Sequence, residues 1–390
     1  MLAGISIGVI PLLKPENTPL PTKPNSFSFR SLYLWIGYGA VFLVCLFLAN
    51  DLFKGQPLDY QFADMLPVIE VMGQRWLSGV SVYEPIPEIW GGLLPRYLPA
   101  LWMPYLPPLA LGVEMRFVNV LFLLIPIGLL LYLLAGKEKV QLTALTIAIP
   151  ILILLGYIFI NYSTLITISE EPIVIGFYLL LAVAVARKWP IAQGIFLACC
   201  LMSRYMLIFW AFSYLVYVFF VISRKRALLI AASSALTGIF LLWVSQGIYH
   251  LDLFISLKDS YLETLQNPER QWGIINTIQK NIGLARFVPF ESLPTLHAAL
   301  FWGSICLPVM LYLFYYFVGR KWINAELFAL CSLKLCLVYF FNMNALPFSY
   351  LFYTSTFLSL VLLAVYYQQL PTELLPAASK PDKGEPAKTD

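Results

Sequence analysis

Charge is scarce in this chain. Of its 390 residues only 12% are Asp, Glu, Lys or Arg, while 60% are hydrophobic; soluble domains carry about 25% charged residues. That scarcity excludes an ordinary soluble domain. Histidine is scarcer still, with His250 and His297 the only two, too few and too far apart for a zinc-type cluster. The six cysteines (Cys45, Cys199, Cys200, Cys306, Cys331, Cys336) all fall within apolar runs, where cysteine acts as a small hydrophobe, so neither a disulfide framework nor a metal site is indicated. Net charge is a modest +4, and the basic residues are scattered between apolar segments. That is topogenic charge, without a nucleic-acid footprint. No internal repeat is visible, which weighs against an inverted-repeat transporter plan. At the opening residues neither the basic start nor the small-residue cleavage site of a signal peptide is clear, and a cytoplasmic tail is expected there instead.

What is abundant is long apolar sequence, several runs reaching the roughly 20 residues that a hydrocarbon core requires. The expected fold is an all-α polytopic membrane protein with one domain over residues 31–367. A cytoplasmic tail is expected over 1–30 and a disordered, charged one over 368–390. Ten passes are read at 31–50, 114–135, 141–160, 172–186, 191–202, 205–222, 227–247, 294–318, 325–341 and 347–367. The basic residues set the orientation. Between Arg187-Lys188 and Arg224-Lys225-Arg226 lie 35 residues with one charge, Arg204. A single pass would put the second cluster outside, against the positive-inside rule; two short passes keep both clusters inside and set Arg204 at an outer tip. Both termini are then cytoplasmic.

The segment 58–112 departs from this pattern. It carries Asp59, Asp64, Glu70, Arg75, Glu84, Glu88 and Arg96 among many prolines and aromatics. It is too apolar for a solvated loop and too charged and broken for a spanning helix, so a re-entrant or interfacial piece is expected, with a short helix near 64–78 ended by Gly79. A connector whose acids merely face water is the plainer alternative. Glu170-Glu171, Arg204 and the 342–350 turn meet the same outer face, and ionisable groups at a membrane suggest a functional site.

The order of motifs in these outer segments resembles glycosyltransferase family 87 of the GT-C superfamily. The residues concerned are Asp64, then Gly79 and Val82-Tyr83-Glu84-Pro85, then Tyr97-Leu98-Pro99 and Pro104 through Pro107-Pro108. Further on, Met202-Ser203-Arg204-Tyr205-Met206-Leu207 stands where the family has Lys-Pro-x-Pro-Leu. Gly273 to Ile278, with Asn276, and Gly283 to Arg286 resemble a second-loop pattern; Phe348-Ser349-Tyr350 matches an aromatic pair at the last outer turn. The likeness covers residues 60–355. It departs from the family at Met65-Leu66, where a tyrosine pair is usual, and at Glu170-Glu171, where Gly-Gln is usual. It implies a GT-C-like fold that takes a sugar, mannose-like, from a polyprenyl-phosphate donor to a lipid or glycan acceptor at the periplasmic side of a bacterial inner membrane.

Such chemistry needs few parts. A carboxylate takes the acceptor hydroxyl's proton, and a cation holds the phosphate as charge develops. Asp64 is the expected base, at the start of the amphipathic 64–78 piece, and Asp59 its competitor. Arg204 is the expected phosphate ligand, its donor fork suited to bidentate contact, with snorkelling to headgroups as the plainer role. On the insertion cost of arginine alone, Arg204→Met should be at least as abundant as wild type. Lys334 could hold phosphate or pair with Glu170 or Glu171. Arg286, Lys280 and Arg96 are second-rank cations. Tyr83, Trp90, Tyr97, Trp102, Tyr105 and Trp272 could stack on sugars or form an interfacial belt; Glu170, Glu171, Asn276 and Tyr350 complete the expected substrate contacts. No Asp-x-Asp pair occurs in the loops, and neither metal nor other cofactor is demanded. A lipid or solute transporter and a membrane scaffold are the competing classes.

Overall fold

The computed structural model describes residues 29–60, 65–89, 91–134, 140–204, 207–256, 284–321, 323–343 and 351–369. Among them secondary structure is helical, apart from one isolated antiparallel bridge between Ile86 and Leu93. The principal helices are α1 (Phe29–Gly55), α2 (Met65–Leu77), α3 (Phe117–Leu134), α4 (Val140–Asn161), α5 (Glu171–Ala186), α6 (Pro190–Leu201), α7 (Ile208–Tyr217), α8 (Arg224–Val244), α9 (Leu293–Phe317), α10 (Ala325–Met343) and α11 (Phe352–Gln369). Among the described residues three apolar stretches are long enough to cross a membrane: Trp35–Gly55 within α1, α8 and α9. Much of their surface is exposed apolar side chain, with Leu43, Phe47, Leu236, Ile239, Met310 and Phe314 all turned outward. An outside of this kind is compatible with a membrane protein and unsuited to water. Of the expected tails, residues 1–28 and 370–390 lie outside the described residues, as do Asp64, Trp90, Trp272, Asn276, Lys280 and Tyr350, while 29–30 and 368–369 are helical.

Helix α5 sits at the centre. Its sequence, EPIVIGFYLLLAVAVA, is apolar on every side, and nearly every residue is buried, as a helix without a polar face requires. It packs against α3, α6, α10 and α11. Pro172 in its first turn starts it without losing a hydrogen bond. It stops at Lys188, whose φ of 59° places it in the left-handed region. There Trp189 N–H reaches the Ala184 carbonyl (3.0 Å) and Lys188 N–H the Val185 carbonyl (3.1 Å), a Schellman cap. Pro190 then opens α6.

Between Lys188 and Arg224 the described residues form two short helices, α6 and α7, and α6 ends in a turn at 202–203, beside the Arg204 break that the charge pattern predicts. Helix α7 ends in a π turn, Val218–Ile222, and Ser223 caps α8 by accepting from Arg226 N–H at 3.4 Å.

The segment before α3 is folded. Helix α2 buries Leu66, Pro67, Val68, Ile69, Met72 and Gly73 on one face, against the short helices Pro99–Trp102 and Leu106–Ala110. Gly73 leaves room for the Leu109 side chain. The helix ends as expected: Gly79 has φ +72°, Val80 N–H bonds the Arg75 carbonyl at 2.9 Å and Gly79 N–H that of Trp76 at 3.1 Å. Arg75 then reaches forward to the carbonyls of Glu84 (2.5 Å) and Pro85 (2.9 Å), pinning the turn that follows. Tyr60 donates to Glu70 at 2.8 Å.

Candidate functional site

The residues at the start of α5 and the 202–204 turn bring three buried or half-buried charges together. Arg204 Nη2 lies 2.7 Å from Glu171 Oε2 and 3.3 Å from Glu170 Oε1. Glu171 is fully buried and Glu170 nearly so, while the Arg204 side chain keeps 26% of its surface exposed. From α11, Thr354 Oγ1 donates to the other oxygen of Glu171 at 2.6 Å. Ser169 Oγ accepts the Glu171 backbone N–H at 3.0 Å. The cluster thus joins α5, the 202–204 turn and α11.

Hydrogen bonds through Asn119 and Tyr105 tie the cluster to the folded segment before α3. Asn119, fully buried in α3, donates to the carbonyls of Ile166 (2.9 Å) and Ser169 (3.0 Å). Tyr105 OH donates to Asn119 Oδ1 at 2.5 Å. Burial, and then the nearby Glu170, push the Tyr105 phenol well above its usual range, which keeps it a donor. Ala100 N–H reaches the Met202 carbonyl at 3.1 Å, docking the Pro99–Trp102 helix on the turn that carries Arg204.

A cleft opens beside the cluster. Glu171, Arg204 and Thr354 form its polar end. Val174, Leu207, Trp210, Leu307, Pro308 and Leu337 supply most of an apolar wall drawn from α5, α7, α9 and α10. Such a shape, a long apolar wall with a charged end, fits an amphiphile.

Several expected contacts are corrected by this geometry. The partner of Glu170 and Glu171 is Arg204 rather than Lys334. Lys334 is buried between α10 and α11, where its ammonium donates to the Ser355 carbonyl at 2.7 Å and to the Ser359 hydroxyl; helix packing turns it toward α11. Arg204 does not stand alone, since two carboxylates hold it. Tyr83 is no open platform for a sugar. It is 3% exposed, its ring packed against His250 (5.1 Å) and Phe254 (5.3 Å), with the Trp102 indole N–H 3.4 Å from its hydroxyl. Burial raises its phenol to about 12. Trp102 and Tyr105 are likewise fully buried, so they form neither a sugar platform nor an interfacial belt. Asp59, Arg96 and Arg286 are exposed, Arg286 lying over the Phe287 ring at 5.0 Å, and Tyr97 is half-buried. Thr354 and Asn119 were not foreseen. Asn119, a lone amide in an apolar helix, is the one that the sequence could have signalled.

Among the described residues, no group of three or more His, Cys, Asp or Glu is placed to hold a metal ion. No protein-family model matches the chain, and neither a curated protein nor a solved structure matches it.

Proposed function

We propose that this chain is an integral-membrane glycosyltransferase of the GT-C type, with ten passes. It would move a mannose-like sugar from a polyprenyl-phosphate donor to a lipid or glycan acceptor at the periplasmic face of a bacterial inner membrane. The observation that carries the reading is the apolar cleft ending at Arg204, Glu171 and Thr354. An isoprenoid tail suits the apolar wall, and the phosphate of such a donor would then meet Arg204. The two carboxylates set a condition. The phosphate takes the place of Glu170, whose contact at 3.3 Å is the longer, while Glu171 at 2.7 Å keeps the guanidinium in position. The acceptor hydroxyl attacks the sugar's anomeric carbon, the carbon–oxygen bond to phosphate breaks, and the polyprenyl phosphate leaves with the electron pair. The proton passes to a carboxylate, and Asp64, the residue preceding α2, is assigned that role, with Asp59 its competitor.

The test is transfer from a mass-labelled polyprenyl-phosphate sugar by the purified chain in vesicles. Transfer is expected from wild type and reduced by orders of magnitude in Asp64→Asn, with Asp59→Asn milder. Wild-type turnover in Asp64→Asn with loss in Asp59→Asn would reassign the base, and no transfer by wild type would end the enzymatic reading.

One observation favours a second reading, a lipid or solute transporter. Polar groups continue down the bundle beyond the cleft: Trp210 donates to Ser332 (3.0 Å), Ser332 to Tyr312 (3.1 Å), and Tyr214 to Gln193 (3.0 Å), with Lys334 buried nearby in sequence. Movement of a labelled lipid across the same vesicles without its consumption would select that reading.

A further inference from the structure

The other end of the bundle has its own arrangement of charge. Glu326, 5% exposed in the first turn of α10, lies 3.3 Å from Lys188 Nζ and 3.2 Å from Arg226 Nη1. It fastens the α5–α6 turn, the start of α8 and the start of α10 to one another. Tyr217, at the end of α7, packs on Tyr312 (5.1 Å) and Tyr315 (5.4 Å) of α9, and Tyr315 OH donates to the Ile323 carbonyl at 2.8 Å. The end of α9 therefore lies beside the end of α7, whose π turn leads directly into α8.

Four more cations stand here, Arg224, Lys225, Arg320 and Lys321, all exposed. Among the described residues no carboxylate pairs with them. Arg224 lies over the Phe219 ring at 5.6 Å and Arg320 over Tyr316 at 5.0 Å. Immediately along the same helices, Phe220, Leu228 and Phe317 are 75%, 61% and 71% exposed. A cationic rim directly bordering exposed apolar walls calls for a partner with an anionic head and long hydrocarbon tails. A soluble anion would satisfy the first requirement and leave the second unmet.

We propose that this rim is a docking surface for anionic phospholipid, with headgroup phosphates on Arg224, Lys225, Arg320 and Lys321 and acyl chains along Phe220, Leu228 and Phe317. The Glu326 contacts fix the helix ends, so the rim is formed before any lipid arrives. The proposal is independent of the glycosyltransferase reading.

The test uses the full chain in neutral detergent, with lipid binding followed by native mass spectrometry. Phosphatidylglycerol should bind in preference to phosphatidylcholine, and the preference should weaken with salt. Arg224→Gln/Lys225→Gln and Arg320→Gln/Lys321→Gln should each lower phosphatidylglycerol affinity about 25-fold, taking roughly fivefold per cation near an anionic surface. Lys54→Gln, an exposed cation at the end of α1, should leave it unchanged. Equal binding of the two lipids, or full phosphatidylglycerol affinity in both double variants, would overturn the proposal. So would competition by glycerol phosphate at concentrations comparable to the lipid, which would mark a site for free anions.

Discussion

Glu171 is held on both oxygens, by Arg204 at 2.7 Å and Thr354 at 2.6 Å, with no exposed surface. Removing Arg204 strands that carboxylate, and breaking a buried pair from one side costs about 3–5 kcal/mol. The expectation that Arg204→Met would be at least as abundant as wild type therefore reverses. Yield and melting temperature should fall in Arg204→Met and recover in part in Arg204→Met/Glu171→Gln, because the amide removes the stranded charge; a single variant as stable as wild type would deny the pair any weight. A second ionic contact lies outside the spanning helices. Glu114 accepts from Arg116 Nη2 at 2.8 Å and Nε at 2.9 Å, and Arg116 also bonds the Gln56 and Phe53 carbonyls. Burial alone would raise the Glu114 carboxyl, but the hydrogen bonds and charge of Arg116 outweigh it and hold it below its ordinary value. A depressed folded value contributes stability above the unfolded value, about 4.3, and that contribution disappears as pH falls through the folded value. Melting temperature measured from pH 7 downward should thus fall more steeply below pH ~4.5 in wild type than in Glu114→Gln; identical profiles would remove the coupling.

At the scale of elements, α6 and α8 meet at Gly194. A Cβ there would meet the Ser233 hydroxyl and the Ile230 carbonyl, and would lie 2.8 Å from Ser234 N. Small residues let helix backbones approach in this way. Gly194→Val should push the helices apart and cost at least the 1–3 kcal/mol typical of overpacking, read as a lower melting temperature. Since α6 leads into the Arg204 turn, crosslinking between cysteines placed at Met202 and Ala100 should also weaken; unchanged melting would show that the contact yields easily. The helices themselves were legible in the sequence, because apolar length and basic punctuation mark them: 325–341 was expected against Ala325–Met343 observed, and 64–78 against Met65–Leu77. The split of 187–224 at Arg204 was legible from charge alone. Pairing was not. Nothing in spacing tells whether Glu171 faces Arg204 or Lys334, since each lies on a different element and the choice depends on how α10 turns against α11. Thr354 is one hydroxyl among several on α11, and hydroxyls in apolar helices often satisfy their own backbone, as Ser355 and Thr356 do with the Phe352 carbonyl. Tyr83 could not be placed either, because an aromatic in a Pro-rich segment reads alike whether it faces a ligand or packs on His250.

For the molecule as a whole, the two charged ends lie at opposite ends of the same helices. Helix α5 runs 16 residues from Glu171 to Ala186, about 24 Å at 1.5 Å per residue. That approaches the ~30 Å of a bilayer's hydrocarbon core. The Arg204 cluster then stands near one boundary, and Lys188, Arg226 and Glu326 near the other. The second end carries Arg224, Lys225, Arg320 and Lys321 besides, and the excess of Lys and Arg predicts that it faces the cytoplasm. The folded segment that docks on Met202 should accordingly face outward. Single cysteines at Glu84, Lys225 and Lys321 test this, in a chain with Cys306, the exposed one of the six native cysteines, replaced by alanine. All three positions are exposed and lie in turns or helix starts, so the replacements should leave the fold intact. In right-side-out vesicles, a membrane-impermeant maleimide should label Glu84→Cys at once. It should reach Lys225→Cys and Lys321→Cys only after the membrane is permeabilised. The reverse pattern would invert the molecule and put the cleft's charged end on the cytoplasmic side, where a periplasmic acceptor could not reach it. Labelling of all three without permeabilisation would mean that the two charged ends are not separated by the bilayer, and both the cleft's orientation and the lipid rim would have to be abandoned.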